Sequence, residues 1–170
     1  IKKFKKYTFG YVRPKKMTQT GSNVVESILN SIEWFEKRNQ KYDTVLFLPP
    51  TSPIRKHSDI KKVIKIFRRE RDESIISAVH MREHPKLCIK LKNKKKWDYL
   101  EKKNFQLDYD KLEKKYLYID GNFSLASVKF LKKYKSFLIK NKTKFFIQER
   151  YVTIDVNEKN DLPIANLLLK

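Results

Sequence analysis

One cysteine, three glycines and no long apolar run set the first limits on this 170-residue chain. A single thiol, Cys88, excludes an internal disulfide and suits a reducing compartment, where it reads as a small hydrophobe in a strand from Leu87 to Leu91. No apolar stretch approaches the roughly 20 residues that span a bilayer. The opening IKKFKKYTFGYV has no apolar h-region of a secretory signal. The expectation is therefore a cytoplasmic protein with no membrane partner. HExxH, paired CxxC, GxSxG and Walker A patterns are all absent. His57, His80 and His84 are too scattered for a metal site or a triad, and each reads as a loop or surface histidine.

Acidic residues are also scarce. Against 40 Lys+Arg stand 19 Asp+Glu, a formal balance of +21 that would attract any polyanion. Only eight of the basic residues are arginines, and the lysines are spread along the chain without interleaved exposed aromatics. Specific phosphate or base recognition favours arginine forks and stacking platforms. Solvated lysine faces are the plainer reading, nucleic acid is not the expected partner, and an anionic small substrate would profit from the field.

What is present is globular sequence, 40% hydrophobic and 13% aromatic. At this length one domain covers residues 1–170, with no internal repeat or linker. It opens inside a basic amphipathic segment and is expected to be N-terminally incomplete. The organising stretch is DTVLFLPPTSPIRKHSD, from Asp43 to Asp59. Thr44 to Leu48 reads as a buried strand. Pro49, Pro50 and Pro53 then stiffen a loop that carries Thr51, Ser52 and Arg55 past the strand's carboxyl end. Ser58 reads as the N-cap of a helix bearing Ile60, Val63, Ile64 and Phe67.

Elsewhere, Asn23 with Glu26 three residues on reads as a capping box, opening a helix with Val25, Ile28, Leu29, Ile32 and Phe35 on its apolar stripe. Trp34 sits at that stripe's edge as a packing residue rather than a base-stacking platform. Ser74 to His80 reads as a second buried strand. Strands alternating with helices imply an α/β fold, a mostly parallel sheet with helices on both faces. Residues 81–120 read as a small β excursion from it. Asp120-Gly121-Asn122 is a turn, followed by a strand from Phe123 to Ala126 and a short basic helix. Phe145 to Gln148 and Tyr151 to Val156 read as further strands. The last helix starts near Asn160, tolerates Pro163 in its first turn and buries Ile164, Leu167 and Leu168.

Four segments together resemble the acylneuraminate cytidylyltransferases, the CMP-sialic acid synthetase family. Pro50 to Arg55, PTSPIR, resembles the family's Gln-Pro-Thr-Ser-Pro-Leu-Arg loop. Arg13-Pro14 precedes it. Ser74 to Val79 with His84-Pro85 resembles the Ser-Val-Val-Ser strand and the His-Pro beyond it, and Ile154-Asp155-Val156-Asn157 with Asp161-Leu162 resembles the closing Ile-Asp-Ile-Asp segment and its helix.

The resemblance implies a Rossmann-like, nucleotide-diphospho-sugar-transferase-like fold. It implies transfer of CMP from CTP to an acidic nine-carbon sugar, with release of pyrophosphate. It implies Mg²⁺ (or Mn²⁺) on Asp155, the catalytic carboxylate, with Asn157 in the second metal position. It also implies Arg13, beside Ser22 and Asn23, on the nucleotide, Thr51, Ser52 and Arg55 near the sugar, and a homodimer through the 81–120 excursion.

Residue by residue, plainer roles stand beside these. Asp155 can cap the turn that follows it, Arg55 can hold its loop through backbone carbonyls, and Thr51 and Ser52 can cap the loop internally. Strict register puts Val24 where the family has one of the hydroxyl residues beside Ser22 and Asn23. Asn157 keeps an oxygen ligand but loses a charge. Pro49 replaces the family's sugar-contacting glutamine, Asp120-Gly121 replaces Asn-Gly, and the Pro-Ala-Arg-x-Gly-Ser-Lys phosphate loop is absent from the sequence. A truncated noncatalytic homologue that binds nucleotide or a partner, and a basic nucleic-acid-binding domain, are the alternative functions.

Overall fold

In the computed structural model the chain is described over residues 10–19, 21–70, 73–100, 115–149 and 154–169. In chain order the helices are α1 (Val24–Glu36), α2 (His57–Glu70), α3 (Val128–Tyr134) and α4 (Asp161–Leu168). The strands are β1 (Thr44–Phe47), β2 (Ser74–His80), β3 (Ile89–Leu91), β4 (Trp97–Tyr99), β5 (Leu117–Tyr118), β6 (Ser124–Ser127) and β7 (Lys144–Gln148). The chain forms two compact units, one from Ile1–Phe47, Lys62–Ile76 and Phe123–Lys144, the other from Leu48–Lys61, Ser77–Asn122 and Phe145–Lys170.

The first unit starts from a capped helix. Asn23 Oδ1 accepts the Val25 N–H at 2.8 Å, satisfying one of the free donors at the start of α1. Val25, Leu29 and Ile32 follow at helical spacing and are buried, as their periodicity predicts. β1 pairs antiparallel with β6, Thr44 opposite Ser127 and Phe47 opposite Ser124. β6 pairs antiparallel with the start of β2, Ser74 opposite Ala126.

Side chains alternate across this sheet. Val45, Phe47 and Ala126 join Val25, Leu29, Phe130, Leu131 and Phe137 in a core beneath α1 and α3. Thr44, Leu46 and Leu125 face the other way, lining a cavity of about 640 Å³ with Ile64 and Phe67 of α2. Helices thus stand on both faces. Burying a side chain such as Phe130 or Leu131 contributes about 1.5–3 kcal/mol, so this layer carries much of the unit's stability.

The chain is α/β, but among the described residues β6 pairs antiparallel with both β1 and β2, β5 with β2 and β4 with β3, where the alternation of elements led us to expect a mostly parallel sheet. The reason is β6. β1 and β2 run in the same direction, and β6 inserts between them in the opposite one. α2 begins at His57, because Lys56 O receives the Asp59 and Ile60 N–H groups, so Ser58 lies inside the first turn instead of capping it. Trp34 packs edge-on to Tyr11 and Phe35, with the Arg38 guanidinium 3.6 Å above its ring.

In the second unit the far end of β2 pairs with β5, Val79 opposite Tyr118, and β7 also pairs with β2. His84 is buried. Its Nδ1 accepts the Lys86 N–H at 3.2 Å, capping a 3-10 turn at Pro85–Leu87, and its ring stands edge-on to Tyr116. That turn moves the strand start from Leu87 to Ile89 and leaves Cys88 half-buried ahead of it.

Ile89 to Tyr99 form the hairpin expected in the excursion, with Asn93 Oδ1 accepting the Lys95 and Lys96 N–H groups at its tip. Residues 101–114 of the excursion lie outside the described residues. So do residues 151–153 of the strand expected over Tyr151 to Val156, and Ile154 to Val156 are irregular. α4 is the other departure. Ala165 is its buried residue, while Ile164 is 52% and Leu167 71% exposed. Leucines lie all around this helix, and the small Ala165 side marks the face that is turned inward.

Candidate active site

The rigid loop after β1 is held from behind by the Asp120-Gly121-Asn122 turn, within the second unit. Gly121 has φ of +70°, a left-handed conformation that a side chain would strain. That turn aims three backbone and side-chain groups at the loop. The carbonyl of Gly121 accepts from Ser52 Oγ at 3.2 Å, and the carbonyl of Asn122 accepts from Arg55 Nε at 2.9 Å. The Asn122 side-chain amide donates to Ile54 O at 3.2 Å. Arg55 also donates to the carbonyl of Pro49, so one guanidinium fork closes the loop on itself and ties it to the turn.

The turn is anchored in its own right. β5 brings Asp120 level with Ser77 of β2, whose hydroxyl donates to Asp120 Oδ1, and the same oxygen accepts the Asn122 N–H at 3.1 Å. Asp120 and Asn122 are 5% and 1% exposed. Burial holds the Arg55 pKa below the ordinary guanidinium value, and the carbonyls it contacts take the place of water. Ser52, 2% exposed, and Arg55 therefore hold the loop in shape. Thr51 is the hydroxyl that remains at the surface.

The closing segment comes to the same place. The Val156 N–H donates to Thr51 O at 2.7 Å. On either side of Val156, Asp155 and Asn157 are exposed, and the Asn157 amide donates to Asp155 Oδ2 at 3.0 Å, so the two side chains share one side of the segment. Asp161, the first residue of α4, accepts the N–H groups of Asn157 and Glu158 at 3.0 and 2.8 Å. The turn-capping carboxylate here is Asp161, which leaves Asp155 exposed to solvent.

Asp155 and Asn157 supply oxygen atoms two residues apart, and among the described residues no group of three His, Cys, Asp or Glu gathers for a metal. Such a donor set suits a hard divalent cation that keeps water or phosphate oxygens in most positions, and does not suit zinc. Turning the Asn157 amide over would set its Oδ1 beside Asp155 Oδ2.

Arg13, Ser22 and Asn23 belong to the first unit. Arg13 is exposed ahead of Pro14, close enough that its charge opposes the upward shift that burial imposes on the Tyr11 phenol. Ser22 Oγ donates to Met17 O at 2.8 Å and Asn23 caps α1, so both side chains serve the local backbone.

Sequence reasoning marked the 120–122 segment as a turn but missed Ser77, Asp120 and Asn122 as the support of the loop. Their partners lie 43 to 69 positions away, and no local pattern signals them. Asp161 was legible as a helix start.

Among the described residues no helix is long and apolar enough to cross a membrane. No protein-family model matches the chain. Over 160 residues it is 21% identical to the pseudaminic acid cytidylyltransferase of Campylobacter jejuni subsp. jejuni serotype O:23/36 (strain 81-176), a similarity that covers 94% of this chain and 68% of that protein.

Proposed function

We propose that this chain is a nucleotidyltransferase of the CMP-nonulosonic acid synthetase type, transferring CMP from CTP to a sialic-acid-like or pseudaminic-acid-like sugar. The anomeric hydroxyl gives its proton to solvent and attacks the α-phosphorus. The bond from that phosphorus to the bridging oxygen breaks, and pyrophosphate leaves. The observation that carries this reading is the hydrogen bond from the Val156 N–H to the Thr51 carbonyl, which joins the backbone of the proline-stiffened loop to the segment that bears the exposed Asp155 and Asn157. The distant likeness to a cytidylyltransferase supports it.

In this reading Thr51 binds a sugar hydroxyl or carboxylate, while Ser52 and Arg55 fix its position by holding the loop. Asp155, with Asn157, holds Mg²⁺ or Mn²⁺, which when bound neutralises phosphate charge and orients the attacking and leaving oxygens. Arg13 serves the nucleotide, since a guanidinium fork matches phosphate oxygens. The hairpin supports a homodimer, because Ile89, Leu91 and Trp97 are 51–69% exposed on one face of a two-stranded ribbon. A cytoplasmic location, where CTP is available, belongs to the same proposal.

Incubation with CTP, Mg²⁺ and a panel of nonulosonic acids tests the proposal. Pyrophosphate release with at least one acid, lost on Asp155→Ala, is expected. No release with any acid overturns it.

A further inference from the structure

In the first unit, the cavity of about 640 Å³ between the sheet and α2 falls within the size range of small-molecule sites. Its floor is two cross-strand pairs on one face of the sheet, Leu46 opposite Leu125 and Thr44 opposite Ser127. Its roof is Ile64 and Phe67, three residues apart on α2 and so on one side of that helix. Four charged side chains, Asp43, Arg68, Glu73 and Lys129, complete the lining, and all four are exposed. The backbone holds the two acids at one end of the floor, where the Ser127 N–H donates to Glu73 O at 2.9 Å and the Val128 N–H to Asp43 O at 2.8 Å. The hydroxyls are already engaged, Thr44 Oγ1 donating to Asp43 Oδ1 at 2.9 Å and Ser127 Oγ accepting the Phe130 N–H at 3.0 Å. The ion pairs among the described residues include none of the four charges. Two acids and two bases thus line one cavity without neutralising each other.

We infer that this cavity binds a small zwitterion with an apolar body, of the class of a free aromatic α-amino acid. The ring lies between the leucine floor and the Ile64 and Phe67 roof, where Phe67 offers an aromatic partner and a polar side chain would exchange water for hydrocarbon. The ammonium turns to Asp43 and Glu73, and the carboxylate to Arg68 and Lys129, the arginine fork matching its two oxygens. A purely anionic ligand would meet the two acids as well as the two bases, and a purely cationic one would meet the bases as well as the acids. A ligand that carries both signs is matched by every charged group of the lining. None of the residues around this cavity belongs to the candidate active site, so the inference stands apart from the transferase reading.

NMR titration of the full chain with three probes tests this: L-phenylalanine, 3-phenylpropionate, which lacks the ammonium, and phenethylamine, which lacks the carboxylate. L-Phenylalanine is expected to bind about 5-fold more tightly than either, the upper end for solvent-facing ion pairs. Its ring protons should show contacts to the Ile64 and Leu125 methyls. Two variants read each sign separately, at exposed positions where the fold is not at stake. Arg68→Gln should weaken L-phenylalanine and 3-phenylpropionate but not phenethylamine. Glu73→Gln should weaken L-phenylalanine and phenethylamine but not 3-phenylpropionate. No binding of L-phenylalanine, binding no tighter than that of the singly charged probes, ring contacts elsewhere, or variants that weaken all three probes alike would overturn the inference.

Discussion

The backbone N–H of Val156 donates to the carbonyl of Thr51 at 2.7 Å, although the two residues stand more than a hundred positions apart. This bond sets the proline-stiffened loop against the closing acidic segment. Each residue near it is then fixed by a partner of its own: Ser52 by Gly121, Arg55 by Asn122 and Pro49, Asn157 and Glu158 by Asp161.

Arg55 should matter for stability more than for binding. Its fork spans two carbonyls, which a lysine cannot reach together. Arg55→Lys is expected to cost about 2 kcal/mol, the worth of a charge-assisted hydrogen bond and the carbonyl left without a donor. Urea denaturation read by circular dichroism checks this.

Gly121 occupies left-handed backbone, and a Cβ there would meet Ser52 Oγ only at 3.8 Å, an ordinary contact. The cost of Gly121→Ala is therefore conformational, about 1–2 kcal/mol, and Gly121→Asn should cost less because asparagine tolerates this region. Equal losses in both variants would point to crowding in place of backbone strain.

Metal affinity should follow the charge at position 157. Asn157→Asp adds a second carboxylate beside Asp155 and is expected to tighten Mg²⁺ binding, as ligand charge does in oxygen sites, while Asp155→Asn should weaken it. Titration calorimetry with Mg²⁺ alone reads both, without dependence on turnover.

On the first unit, hydrogen bonds from Arg69 and then Lys144 hold the Glu70 carboxyl below its ordinary value of 4.5. A lowered folded-state pKa means stability that is present above 4.5 and lost as pH falls through the folded value. An NMR titration of Glu70 should show a midpoint below 4.5, moving up in Arg69→Gln. Glu70 is on the surface, so added salt should narrow the difference.

Several of these features were legible in the sequence. Three prolines within five positions announced the loop, Asn23 its cap, and Val25, Leu29 and Ile32 their buried stripe. The β excursion read over residues 81–120 holds the β3–β4 hairpin, whose register, Lys90 opposite Asp98, no sequence pattern had given. β6 was misread because chain order shows where a strand occurs and not between which neighbours it inserts. α4 was misread because Leu162, Ile164, Leu167, Leu168 and Leu169 surround the helix, and periodicity then singles out no face. The support of the loop by Asp120 and Asn122 depends on pairings across β2 and β5, which a local pattern does not encode.

The account rests on Thr51 and the Asp155 and Asn157 pair forming one site, and a paramagnetic ion tests it directly. With the Thr51 methyl assigned by Thr51→Ser, Mn²⁺ added in substoichiometric amounts should broaden the Thr51 methyl signal together with the Asp155 amide, and Asp155→Ala should restore both. Broadening at Asp155 that leaves the Thr51 methyl sharp, or broadening at Thr51 that persists in Asp155→Ala, would contradict it.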